Sequence, residues 1–282
     1  MPSSPTKELR LAALCWLAEC DAARKAAGTR QLAQAWLSGE IALDTRAAPS
    51  APLPLPGRPE KPDLVAPRLV RRRSMITHEG RAILIHALAH IEFNAINLAL
   101  DAIWRFAGMP PAYYADWLQV ADEEALHFSL LADHLQSLGY AYGDFPAHNS
   151  LWEMADKTRH DILARIALVP RTMEARGLDV APSLRDKLAQ AGDAAAAKIM
   201  DVILSDEIGH VAIGNRWYEY LCRQRGLEPV ATYAQLASEY KAPVLRGPFN
   251  LAARRAAGFS ELELAALQHQ DNTQVHTDRN IP

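Results

Sequence analysis

The chain has 282 residues, of which 49% are hydrophobic and 22% charged, with a formal net charge of −3. That length and apolar share allow one large helical domain, with or without appendages, to bury a core without disulfides. The charge balance offers no general attraction for nucleic acid. The cysteines, Cys15, Cys20 and Cys222, are odd in number and match no common zinc spacing. They point to a reducing, cytoplasmic setting and read as buried small hydrophobes. No apolar run approaches the ~18 residues of a membrane span, and the opening MPSSPTKELR lacks the apolar core of a signal peptide. No membrane partner is expected.

In chain order, residues 1–43 read as a helical hairpin. Leu9, Leu11, Leu14, Trp16 and Leu17 line the first helix, Leu32, Ala35 and Trp36 the second, and Gly28-Thr29 supplies the break. Residues 44–68 hold seven prolines and are expected to form an extended strap or linker. Arg71-Arg72-Arg73 is a short basic run that reads as a solvated helix start. From 69 to 228 long apolar-periodic segments predict helices over 75–107, 111–138, 150–177, 183–190 and 193–225. Gly108-Met-Pro110 ends one helix and starts the next, Ser150 with Glu153 resembles a capping box, and Pro170 should kink the third long helix. Residues 139–149 read as a loop. Two further helices at 231–240 and 251–267 and a loose tail over 270–282 complete a C-terminal segment, 229–282. Four long helices with short connections predict an all-α, four-helix bundle.

Two motifs carry chemistry: Glu124-Ala-Leu-His127 and Glu207-Ile-Gly-His210. Each sets a carboxylate and an imidazole three residues apart on one helix face. Around Glu124 on that face fall Trp117, Val120, Ala121, Phe128 and Leu131; around Glu207 fall Met200, Ile203, Leu204, Val211 and Gly214. A carboxylate in the middle of an apolar stripe is costly unless paired or bound to metal. The same test finds Glu92 among Ile85, Leu88, Ala89, Ala95, Ile96 and Ala99, and Glu174 among Leu163, Ala167, Pro170 and Gly177, with Arg171 near the same face.

Glu92 precedes Glu124 by 32 residues and Glu174 precedes Glu207 by 33, so the chain reads Glu, Glu-x-x-His twice. A glutamate from each of two helices and a Glu-x-x-His from each of the other two is the ligand set of ferritin-like di-iron or di-manganese proteins. The expected ligands are therefore Glu92, Glu124, His127, Glu174, Glu207 and His210. They would hold two iron ions, with manganese as the alternative, because oxygen-rich donors with imidazole suit these metals and no thiolate belongs to the set. Glu123 and Asp206 stand four residues before His127 and His210, where they could orient the imidazoles. His86, His90, Asn94, Asn97 and Asp101 share the opposite face of the first long helix and read as a solvated or inter-helix polar face.

The stretches HIEFNAINLALDAIWRF, WLQVADEEALHFSLL, YGDFPAHNSLWEMADKT, ARIALVPRTMEARGLDV, LSDEIGHVAIGNRWY and GPFNLAARRAAGF resemble a bacterial ferritin-like family of unassigned function, domain-of-unknown-function family 455. The likeness runs from about residue 5 to 270. It implies a ferritin-like bundle and the same six metal ligands. A more distant likeness is to a di-iron tRNA hydroxylase and to rubrerythrins, although the chain has no Cys-x-x-Cys module of the rubredoxin kind. The expected function is an oxygen- or peroxide-activating oxidoreductase. Its partners would be dioxygen or peroxide, a small-molecule or modified-nucleoside substrate, and an electron donor; a homodimer is a compatible assembly. The alternatives are an iron-handling ferroxidase without organic substrate and a non-catalytic scaffold with a relic metal site.

Overall fold

A computed structural model of the protein describes residues 8–51, 54–70 and 74–278. The Arg71–Arg73 run lies outside the described residues. The chain is all-helical: eleven α-helices, two isolated β-bridges and no named strand among the described residues. It forms two compact units, one from residues 1–152 and 187–199, the other from 153–186 and 200–282.

The first unit is built on α3 (His78–Arg105) and α4 (Pro111–Ser137), with α1 (Leu9–Ala18) packed on α3 and α2 (Ala22–Leu37) on α4. Thr77 caps α3, its hydroxyl accepting from Gly80 N at 3.1 Å, and Pro111 starts α4 where no amide hydrogen is required. The break between α1 and α2 falls at Glu19–Asp21 and not at the expected Gly28-Thr29. Asp21 caps α2 by accepting from Arg24 N at 2.8 Å. Gly28 lies inside α2 against the Trp16 ring, where a Cβ would come within 2.3 Å of ring carbons. The glycine serves close packing, not a turn.

α3 corrects a further expectation. It is long and apolar enough to cross a membrane by length and composition, and 78% of that apolar window is buried inside the protein. Its last carbonyls, which no amide of the helix can reach, are met by Arg10. Nε donates to Ile103 O at 3.2 Å and Nη2 to Trp104 O at 2.6 Å. The polar face of α3 is an inter-helix face, since His86, His90, Asn94, Asn97 and Asp101 are all buried. Lys25 Nζ, fully buried, reaches across from α2 to Asn97 Oδ1, Leu17 O and Gly57 O. The proline-rich segment is strapped down: Val65 N donates to Ala147 O at 2.8 Å and Ala147 N to Asp63 O at 3.0 Å. Cys15 and Cys20 are exposed, against expectation; Cys222 is buried.

The helix expected over 150–177 is broken into four pieces. After α5 (Ser150–Lys157) a turn intervenes, then α6 (Ile162–Leu168), a π-helical segment Val169–Glu174 containing Pro170, and α7 (Ala175–Gln190). Proline removes a backbone donor, and here the register widens instead of kinking. α7 absorbs the separate helix expected at 183–190, carrying Pro182 within it. α8 (Ala194–Arg225) packs close to the π segment at Gly214, where a Cβ would meet Pro170 Cβ at 2.9 Å. Ala175, Leu178, Val211 and Ala257 form a core cluster with Ile208, Ala253 and Phe259 against it. α9 (Pro229–Glu239), α10 (Leu251–Ala256) and α11 (Glu261–Asp278) complete the unit. α11 continues through most of the stretch expected as a tail.

Candidate metal centre

In the first unit, α3 contributes Glu92, and α4 contributes Glu124 and His127 one turn apart. All three are buried: 3%, 1% and 0% exposed. His127 Nδ1 lies 3.5 Å from Glu92 Oε2 and 3.5 Å from Glu124 Oε2. One donor atom from each residue falls within 4.8 Å of the other two, so this group could hold a metal ion. The surroundings are the apolar stripe read from the sequence. Trp117, Val120, Ala121, Phe128 and Leu131 on α4 and Ile85, Ala89 and Ile96 on α3 are all buried.

The electrostatics show a site short of positive charge. Burial pushes the Glu92 carboxyl well above the usual carboxylate range, and the neighbouring Glu124 charge adds to the effect. Burial opposes a charged His127. Hydrogen bonding by Glu124 and Glu92, with their charges, overcomes this and holds its pKa up at about 11. Glu92 Oε2 is buried, with His127 Nδ1 at 3.5 Å as a long contact. Two carboxylates and an imidazole drawn together out of water are a set that a divalent cation would satisfy.

In the second unit, α8 sets His210 Nδ1 3.9 Å from Glu207 Oε2. His210 is 1% exposed, and Glu207 is half-buried. Glu174 is the last residue of the π segment and half-buried. The structure thus gathers Glu92, Glu124 and His127, and sets Glu207 beside His210. Arg171, expected near the face of Glu174, is turned to Asn215 and Glu263. Glu123 is half-buried and accepts from Gln119 Nε2 at 3.1 Å, and Asp206 is half-buried on α8.

A family described as "Protein of unknown function (DUF455)" matches residues 18–265. The chain belongs to that family. The DUF455 chain is also 53% identical over 222 residues to an uncharacterized protein of Haemophilus influenzae, covering 76% of this chain and 77% of the relative. No solved structure matches it.

The sequence reading gave no role to Tyr142 of this DUF455 chain. Its hydroxyl donates to His90 Nδ1 at 2.8 Å, and His90 Nε2 in turn donates to His148 O at 3.2 Å, which assigns the neutral tautomer. The Tyr142 ring packs on Phe93 and Phe128, at centroid distances of 5.7 and 5.1 Å. Phe93 follows Glu92 and Phe128 follows His127, so the 139–149 loop closes the apolar wall beside the triad. His86 is held likewise, its Nε2 accepting from Gly143 N at 3.0 Å. His86 and His90, four apart before Glu92, were the available signal, but their partners lie on a loop about 50 residues later.

Proposed function

We propose that the protein is a ferritin-like dinuclear metal protein, with Glu92, Glu124, His127, Glu174, Glu207 and His210 as ligands of two iron ions, and that it activates dioxygen or peroxide as an oxidoreductase. The observation that carries this reading is the buried triad of Glu92, Glu124 and His127, whose donor atoms lie within 4.8 Å of one another. The sequence repeats that set in Glu174, Glu207 and His210. Four carboxylates and two imidazoles form the donor set that suits a pair of iron or manganese ions.

A reduced iron pair, when bound, would supply the two electrons for reduction of dioxygen or peroxide. The chain's own residues supply the rest. Glu92 and Glu124 neutralise cationic charge in an apolar shell. His127, whose pKa the two carboxylates hold up at about 11, would have to give up its Nδ1 proton to serve as a ligand. Trp117, Phe93, Phe128 and Tyr142 keep bulk water from the triad.

Elemental analysis of protein expressed in iron-supplemented medium should give two irons per chain, and the ferrous-loaded protein should consume dioxygen. Glu124→Ala should lose both. Near-zero iron in the wild type, or full metal content in Glu124→Ala, would end the proposal.

A further inference from the structure

The second unit contains a cavity of about 80 Å³, separate in chemistry from the carboxylate-imidazole sets. Its wall is mostly apolar, from Tyr233, Leu245, Phe259 and Leu267, and is interrupted by the guanidiniums of Arg171 and Arg254 and by the carboxylate of Glu263, which is paired with Arg171. Both arginines are almost wholly buried, 4% and 1% exposed. Phe259 stands between them, its ring centroid 5.1 Å from Arg171 Cζ and 5.3 Å from Arg254 Cζ.

The hydrogen bonds of these arginines are one-sided. Arg171 Nε donates to Asn215 Oδ1 at 2.5 Å and its Nη2 pairs with Glu263. Arg254 Nε donates to Asp179 Oδ1 at 3.0 Å, and its Nη2 to Asp179 Oδ2 at 2.8 Å and Ala175 O at 3.3 Å. Nη1 of each, with two N–H groups, has no acceptor among the described residues. A guanidinium carries five donors in a fixed fork. The countercharges sit on the Nε and Nη2 sides, so the Nη1 sides are where a further acceptor is wanted. A charged acceptor makes a bond roughly twice as strong as a neutral one.

We propose that this cavity binds a small organic carboxylate, its oxygens on Nη1 of Arg171 and Arg254 and its hydrocarbon body against Tyr233, Phe259 and Leu267. At roughly 10–15 Å³ per water-sized centre, the space holds about five to eight non-hydrogen atoms. A monocarboxylic acid of four or five carbons has that size. Arg171 lies in the π segment, and Thr172 Oγ1 of that segment is hydrogen-bonded to Tyr233 OH at 2.9 Å. Irregular helical turns of this kind often mark functional sites. The proposal stands on the arginines and the cavity, and holds whether or not the carboxylate-imidazole sets bind iron.

Butyrate and isovalerate, titrated into the metal-free full-length protein by ligand-observed NMR or calorimetry, should each saturate a single site. Affinity should be on the order of millimolar for so few atoms. Butyramide, which has the same shape without the charge, should bind at least tenfold more weakly. Ala266→Phe fills the cavity from its half-buried rim, and should weaken butyrate at least tenfold while leaving the urea midpoint near the wild-type value. Absence of saturable binding would overturn the proposal, as would equal affinity for butyramide. Undiminished binding in a folded Ala266→Phe would overturn it too.

Discussion

Replacing Glu92 with glutamine should make the metal-free protein more stable and the metal-bound protein less so. Glu92 is 3% exposed, and its buried Oε2 has only a long, 3.5 Å contact to His127 Nδ1. A buried polar atom in that state costs about 1–3 kcal/mol. Burial and the Glu124 charge also raise its pKa. The native state therefore keeps a proton that the unfolded chain releases, and this lowers stability increasingly as pH rises above about 4.5. Glutamine is neutral and can donate to Glu124, so it removes both penalties. A gain of about 2 kcal/mol at a denaturant slope of about 3 kcal/mol per molar moves a urea midpoint by about 0.7 M. The gap should widen from pH 5 to pH 8.

With iron present the order should reverse. At a free iron concentration of about 100 times the dissociation constant, wild type gains about 2.7 kcal/mol; a variant with a hundredfold weaker site gains about 0.4 kcal/mol. Urea unfolding followed by circular dichroism, with chelator and then with anaerobic ferrous iron, measures both. A metal-free Glu92→Gln midpoint at or below wild type would refute the argument that this carboxylate is held against its own stability.

Other expectations follow from particular contacts. Burial pushes the His86 pKa down to about 4, so the unfolded chain binds the extra proton between pH 6.5 and 4. Stability should fall as pH drops through that window, by about 2 kcal/mol at pH 5 from this residue. His86→Phe should show a correspondingly smaller loss between urea midpoints at pH 7.5 and pH 5. Lys25→Met strands Asn97 Oδ1 and the carbonyls of Leu17 and Gly57; it should cost about 2–4 kcal/mol in the same assay. Gly214→Leu drives a side chain into Pro170. It should destabilise the protein by about 2 kcal/mol, and an unchanged midpoint would mean that the π segment yields freely.

The helical character and the pairing of Glu124 with His127 were legible because both rest on short-range periodicity. Glu124 and His127 share a face by geometry alone, and the apolar stripe around them is the buried one. Glu92 was found by the same stripe rule, although nothing local says that it meets His127, which is 35 positions away in the chain. The failures share a cause. Gly28 reads as a stop because glycine usually ends helices; its actual reason is the Trp16 ring, twelve residues earlier. The interruption after Lys157 carries no glycine or proline, and Arg165 holds it by donating to Thr158 Oγ1 and Ala155 O. Arg10, Lys25 and Arg254 carried no signal in the sequence, and Arg171 was placed only near the face of Glu174; all four are buried. Apart from Leu17 O, eight residues from Lys25, their acceptors are supplied by segments about 30 to 95 residues distant, beyond what any window along the chain can see.

The capping of α3 by Arg10 bears on how the chain comes off the ribosome. α3 is apolar enough to be mistaken for a bilayer segment, yet it is synthesised only after α1 and α2, which carry the two cations that claim it. Arg10 meets its final carbonyls and Lys25 its buried Asn97. In the folded protein the amino-terminal hairpin thus meets the polar groups of the next helix, both of its cations lying on segments that precede it in the chain. A protein begun after residue 43 would lack both cations, leaving the last carbonyls of α3 and the buried Asn97 without these partners.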